Sequence, residues 1–308
     1  MSAPEPMTSL PAAALAHDPS WPRAGDWPPP EGTVDAVLLG LPAHRTSLSP
    51  TGANATPTAV RAALRRYSPT VLGAEGPIDL NEVLRIADAG DVADPDGPAG
   101  EARVRERVRA LTARLVIALG GDNSITYATA QGAAATGLIT LDAHLDLRDG
   151  ESNGSPVRRL VADGLDPRRI VQIGIADFAN SAIYARRAAD LGIRVIGLDE
   201  VRRRGIADVA AEALQVAGVD AGGIHLDIDV DVCDRSVAPG CPASVPGGLA
   251  AWELRDLVRH LAGDARVRSA DIVEVDATAD TPDGRTVRLA ALCVLELLAG
   301  LAARVETA

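Results

Sequence analysis

Short apolar runs recur along the chain, with longer amphipathic stretches between them. The runs cover residues 34–40, 83–87, 115–119, 138–141, 170–175, 193–198, 224–232 and 270–275. Most are near-continuously hydrophobic, which marks strands covered on both faces rather than strands with one wet face. The stretches between them, residues 59–66, 101–114, 181–191, 206–216, 251–261 and 286–304, place apolar residues at helical spacing. Asp264 and Gly300 sit near expected helix ends. This alternation predicts a single three-layer α/β/α domain whose sheet has about eight mostly parallel strands, with helices on both faces. No short repeat accompanies it, and strand order is not encoded in the pattern.

The rhythm starts late. Residues 1–30 carry eight of the 21 prolines, Pro28-Pro29-Pro30 among them, and read as an irregular arm, disordered or draped over the body. Trp21 and Trp27 could anchor that arm. Residues 31–308 form the expected catalytic body.

Two apolar runs are interrupted by acids in a way that burial alone does not tolerate. In His225-Leu226-Asp227-Ile228-Asp229-Val230-Asp231 the leucine, isoleucine and valine face one side of a strand, and the histidine and three aspartates the other. Carboxylates stacked on one face repel each other and resist desolvation, so a positive group must hold them. Asp142-Ala143-His144-Leu145-Asp146 repeats the arrangement, three donors at one expected strand end. Asp142, His144, Asp146, Asp229 and Asp231 form a mostly oxygen donor set, which suits Mn2+ or Mg2+ better than a structural zinc site. With so many carboxylates one can bridge, so two ions about 3.5–4 Å apart are reasonable. The bland reading of each segment is a strand-end turn or a helix N-cap. Gly120-Gly121-Asp122-Asn123 and Glu274 also fall at expected strand C-termini, where open parallel sheets place their ligands. His225, further down its strand, reads as a hydrogen-bonded interior residue.

Composition narrows the field. The 308 residues are 47% hydrophobic with only 2% aromatics and a formal charge of -12, which argues against a nucleic-acid binder. All 30 basic residues are arginine, so a lysine Schiff base is excluded. Cys233, Cys241 and Cys293 form no CxxC pair, consistent with a reduced, cytoplasmic protein. No secretory signal or membrane span is expected.

These residues resemble the ureohydrolases, the superfamily of arginase, agmatinase and formimidoylglutamase. The motifs GGDHS, DAHxD and SxDxDxxDP are matched by Gly120-Gly121-Asp122-Asn123-Ser124, by Asp142 to Asp146, and by Asp227, Asp229, Asp231 and Asp234. Ala238-Pro239-Gly240 resembles the APG that follows, which puts Asp227 in the place of the motif's Ser and Arg235 in that of its Pro. Val273-Glu274-Val275 is similar to an EVN segment whose Glu contacts the substrate amidine, and Asp88-Ala89-Gly90-Asp91-Val92 to a DxGDV segment. The similarity spans roughly residues 34–304. It implies an arginase-like fold, two Mn2+ per chain, a small-molecule substrate and a homo-oligomer, usually a trimer or hexamer. It also implies hydrolysis of a linear amidine or guanidine, in which a hydroxide generated at the metals attacks the central carbon. Asp146 and Glu274 are the catalytic residues so implied.

Departures from the motifs point to one branch. Asn123 stands where the superfamily has a metal-binding His, so one ion is expected to be held more weakly. Asn153 stands where arginases and agmatinases carry the His of an HG dipeptide. A small polar residue there, followed by Gly154, Ser155 and Pro156, resembles the formimidoylglutamases, as do His144-Leu145-Asp146-Leu147-Arg148-Asp149 and Ser49-Pro50-Thr51-Gly52-Ala53, the latter most like actinobacterial members. Arg148 and Arg158 could clamp the carboxylates of N-formimidoyl-L-glutamate; their bland readings are a surface ion pair and a helix-start residue. Asn153, Ser155 and Glu274 complete the expected substrate-binding set. The competing readings are a guanidino-hydrolase of the same superfamily, acting on agmatine or guanidinobutyrate and releasing urea, and a metal-poor binding relative without catalysis.

Overall fold

Alternate residues of the central strands are buried on opposite faces of one sheet. Ala36 and Leu38 join one apolar cluster while Val37, Leu39 and Leu41 join another, and Leu115, Ile117 and Leu119 separate from Val116 and Ala118 in the same way. Covering both faces is what makes the strands near-continuously hydrophobic. The computed structural model describes residues 18–73, 76–219 and 222–304. Its sheet has eight strands in the order β4 (Ile86–Asp91), β1 (Val34–Leu41), β5 (Ala113–Gly120), β10 (Val267–Val273), β9 (Gly223–Asp229), β6 (Ala135–Leu141), β7 (Ile170–Ile175) and β8 (Arg194–Gly197). Every neighbouring pair is parallel.

One face is covered by α1 (Thr56–Leu64), α7 (Leu198–Arg204), α8 (Ile206–Ala217), α9 (Ala251–Ala262) and α10 (Arg285–Ala302). The other is covered by α3 (Gly97–Ala110), α4 (Ile125–Gly132), α5 (Pro156–Ala162) and α6 (Ala182–Leu191). The three-layer expectation therefore holds. A small antiparallel ribbon, β2 (Thr70–Gly73) with β3 (Gly76–Asp79), and the single turn α2 (Leu80–Val83) lie outside the expected pattern.

Several boundaries differ from the sequence reading, each for a local reason. Val83 ends the turn α2, and the strand expected at 83–87 begins only at Ile86. The strand expected over 224–232 stops at Asp229, because the Asp229 side chain accepts from the Asp231 amide and rolls the chain into a 3-10 turn, Val230–Val232. Asp231 thus reaches the site from a turn rather than from the strand face. Gly300 lies inside α10, not at its end: a Cβ there would meet the Ala262 Cβ at 2.7 Å, so the glycine lets α10 approach α9.

Residues 18–30 are irregular and draped over the body. Asp88 N–H donates to Pro28 O, Ala24 is fully buried, and the Trp27 indole donates to Asn81 Oδ1 at 3.0 Å. Trp21 is half exposed and does not anchor this segment. The first 17 residues of the proposed arm lie outside the described residues.

Candidate active site

The C-terminal ends of β10, β9 and β6, at the middle of the sheet, open on a cavity of about 220 Å3, and the turn after β5 packs behind Glu274. Its walls include His144, Asp146, Arg148, Asn153, Asp229 and Glu274. At the end of β5, Gly121 is required: a Cβ would meet the Ala43 carbonyl oxygen at 2.0 Å. The tight turn brings the Asn123 amide to Glu274 Oε1 at 2.8 Å. Glu274 itself has φ of +62° and Asp146 of +52°, left-handed conformations that non-glycine residues adopt only when their surroundings hold them.

The sequence-predicted ligands come together. Asp142, His144 and Asp231 offer donor atoms all within 4.8 Å of one another. His144 Nδ1 lies 2.7 Å from Asp231 Oδ2, and its backbone amide donates to Asp142 Oδ1 at 2.6 Å. Asp231 Oδ1 accepts from the Ala143 amide at 3.0 Å, tying the loop after β6 to the turn after β9. Two further groups share these residues: Asp229, Asp231 and Cys241, and Asp142, Asp146 and Asp227.

Burial and mutual repulsion dominate the electrostatics. Burial, then Asp231, pushes the Asp142 carboxyl up to about 7. Burial first, and neighbouring acids second, also hold Asp146 and Asp229 well above the carboxylate range. Burial and Asp122 push Glu274 up to about 8. Burial works against a charged His144, but Asp142 and Asp231 outweigh it and hold the imidazole protonated, pushed up to about 12. Burial raises Asp231 as well, and His144 more than offsets it, so this carboxyl alone lies below its usual value. One imidazolium against so many acids leaves the centre short of positive charge. Asp142 Oδ2 is buried with no hydrogen-bond partner. The residues therefore fit divalent cations, and oxygen-rich donors with one imidazole fit Mn2+ or Mg2+ best.

Not every predicted residue reaches the cavity. Asn123 sits in the cluster as a donor: its Nδ2 lies 2.5 Å from Asp146 Oδ2, and its Oδ1 accepts from Thr126 Oγ1 at 2.7 Å. Asn153 is placed against Glu274, donating from Nδ2 to Oε1 at 2.8 Å while its Oδ1 accepts from the Leu48 amide. Arg148 lines the wall, with no ion-pair partner among the described residues, and Asp149 pairs with Arg187 instead. Two of the expected residues are not among those lining the cavity. Arg158 turns away from the cavity, its Nε and Nη2 donating to the carbonyls of Arg148 and Gly150, so it shapes the loop that carries Arg148. Ser155 is buried in that same loop, its hydroxyl donating to Ser152 O at 2.8 Å, and it closes a turn instead of meeting a ligand.

Elsewhere, the Asp88 and Asp91 carboxylates are held by the Arg61 fork, with Nε–Oδ2 2.6 Å and Nη1–Oδ1 2.5 Å, so that segment is a structural brace. Sequence reasoning missed Cys241, buried beside Asp229 and Asp231, and Tyr184 and Ser181 on the cavity wall. Ser181 and Tyr184 sit at the start of α6, just after the C-terminal end of β7, which is where parallel sheets put their binding loops.

A binding cavity lined with cation-seeking carboxylates at the C-terminal edge of a parallel sheet is the arrangement of a metal-dependent hydrolase. The Arginase family model matches residues 34–300, and the chain belongs to the Arginase family. It is 36% identical over 278 residues to the formimidoylglutamase of Halalkalibacterium halodurans, covering 85% of this chain and 86% of that one. The crystal structure of Bacillus subtilis formimidoylglutamase superposes with a TM-score of 0.85 at 32% identity, over 95% of this chain and 96% of that one. A formiminoglutamase from Trypanosoma cruzi solved with Mn2+ gives 0.78 at 26% identity, over 88% and 94%. The fold and the class expected from the sequence are thus met.

Proposed function

We propose that this chain hydrolyses N-formimidoyl-L-glutamate to L-glutamate and formamide, with two Mn2+ ions held by Asp142, His144, Asp146, Asp229 and Asp231. The carrying observation is the pairing, across one cavity, of the buried acid Glu274 with Arg148, which has no ion-pair partner among the described residues. When bound, such ions acidify a water to a nucleophile near neutral pH.

The chain's own residues do the rest. Among the described residues both hydrogen bonds on the Glu274 carboxylate fall on Oε1, from Asn123 N–H and Asn153 Nδ2, which fixes the group and leaves Oε2 for a planar amidinium. Arg148 offers its fork to a glutamate carboxylate. Asn153 carries no titratable proton, so a mechanism that needs a histidine at this place to carry one is disfavoured. A cytoplasmic, homo-oligomeric enzyme is part of the same reading, resting on family likeness; no described helix is long and apolar enough to cross a membrane.

The test is product analysis of the Mn2+-loaded chain on N-formimidoyl-L-glutamate, agmatine and guanidinobutyrate in parallel. Formamide and glutamate from the first alone are expected. Urea from either guanidino compound would overturn the substrate, and less than about one Mn2+ per chain with no turnover would support a binding relative. Arg148→Ala should raise KM about tenfold, the equivalent of about 1.4 kcal/mol, with a smaller effect on kcat; an unchanged KM would remove Arg148 from the substrate.

A further inference from the structure

A polar row crosses the sheet directly beneath the metal-binding carboxylates. Asp271 on β10 pairs with Asp227 on β9, Asp227 with Thr140 on β6, and Thr140 with Gln172 on β7. All four are fully buried, on the face opposite Leu226, Ile228, Ala270 and Ile272. Interiors do not carry such rows unless their polar groups are satisfied. Part of this row is. Gln172 donates to Leu145 O, and the two nitrogens of His225 are taken by Ser269 Oγ at 2.8 Å and Asp271 Oδ2 at 3.0 Å.

Thr140 Oγ1, Gln172 Oε1 and Asp271 Oδ1 lack partners among the described residues, and Asp227 is the acid of the row with neither oxygen satisfied. Neither of its carboxylate oxygens has a hydrogen-bond donor, and His225, the one basic side chain on its strand face, is already committed to Asp271 and Ser269. Its flank is acidic: Asp271, Asp142 and Asp146 each raise the cost of ionising it. Yet one oxygen from each of Asp142, Asp146 and Asp227 falls within 4.8 Å of the others, and Asp142 Oδ2 is a second buried oxygen without a donor. Three buried carboxylates whose oxygens converge, with Asp142 Oδ2 and both Asp227 oxygens lacking a donor, form a cation cradle. On the far side of Asp146, Asn123 spends its amide nitrogen on that carboxylate and its oxygen on Thr126, so it brings no charge to the cradle.

We propose that Asp227 is a ligand of the ion shared by Asp142 and Asp146, entering that site from inside the sheet. The inference rests on the metal-dependent reading above and deepens it. It also joins two departures from the ureohydrolase motifs: a neutral Asn123 where a His is usual, and an acidic Asp227 where a Ser is usual. The carboxylate gained beneath the site makes good the ligand lost beside it. An Asp227 that were only a protonated member of the row would be replaced by Asn without consequence for metal.

The experiment uses the full chain, stripped with chelator and titrated with Mn2+. Bound metal is counted, the ions are followed by electron paramagnetic resonance, and melting is recorded with and without metal. The wild type should take up two ions. Asp227→Asn should lose one, or bind it at least tenfold more weakly, with a changed resonance signal. Asp227→Asn should gain less in melting temperature from added Mn2+ than the wild type. Asp227→Ser serves the same readouts if the Asn variant does not fold. Unchanged stoichiometry, affinity and spectrum in a folded variant would overturn the assignment while leaving the metal reading intact. A wild type that binds no divalent ion would remove both.

Discussion

Around the start of α8, Glu200, Asp208 and Glu212 face Arg194 and Arg204. Arg194 Nε lies 2.6 Å from Glu212 Oε1, and Arg204 Nε lies 2.6 Å from Asp208 Oδ2. Hydrogen bonds from Arg194 draw the Glu200 and Glu212 carboxyls below their ordinary range. At the ends of β6, β9 and β10 the balance is reversed: Asp142, Asp146, Asp227, Asp229 and Glu274 all lie above theirs, and His144 is the cation among them. The two groups contain similar residues. What separates them is whether the chain supplies the counter-charge itself. A network matched by its own arginines is a piece of scaffold, worth little in net stability where water still reaches it. A buried group left unmatched costs the fold free energy that only a ligand can restore.

Removing a carboxylate from the unmatched group is therefore expected to have the largest effect. Asp229→Ala should abolish turnover and metal uptake together, since it removes a buried carboxylate that stands beside Asp231 on the cavity wall; metal counting and product analysis check this, and retained activity would dissolve the contrast. A second effect concerns pH. With metal stripped, the folded chain keeps protons on Asp142 up to about 7 and on Glu274 up to about 8, whereas the unfolded chain loses them near 3.8 and 4.5. At these two groups the folded state binds more protons than the unfolded one, so their contribution to stability is fully present below about pH 4 and is lost as pH rises toward 8. Melting in chelator should thus be lower at pH 8 than at pH 5, and added Mn2+ should reverse the order. A metal-free Tm that does not fall over this range would show that the acids are matched after all. The smallest effect belongs to the matched group. Glu212→Gln should cost no more than about 1 kcal/mol in denaturant unfolding and leave metal content unchanged.

Much of this was legible in the sequence, because the same physics wrote both signals. Strands covered on both faces must be apolar throughout, so β1, β5, β7 and β9 announce themselves, β7 over its full observed span. Acids interrupting such strands stand out for the same reason, which is why Asp142, His144, Asp146 and Asp229 could be named. Short elements were less visible. α4, Ile125–Gly132, has no charged face to set a period, and α5 is one seven-residue stretch opened by Pro156. Side-chain-to-backbone bonds were invisible too. The Asp229–Asp231 turn moves a ligand off the strand, and the carbonyl contacts of Arg158 draw it away from the cavity, yet neither leaves a mark on hydrophobic spacing. Asp227 was seen as an acid out of place; that its oxygens converge with those of Asp142 and Asp146 required the register of β9 against β6.

The order of the strands also governs when this site can exist. Glu274 and Asn123 are joined by a hydrogen bond although 151 positions separate them, and β10, among the last elements in the chain, inserts between β5 and β9. Parallel pairing of this kind is slow, since long loops must close before any contact rewards them. The acidic loops that follow β6 and β9 can thus meet Glu274 only after β10 has been made and threaded into the middle of the sheet. A truncated chain lacking β10 should therefore be a target for proteolysis rather than a slow enzyme.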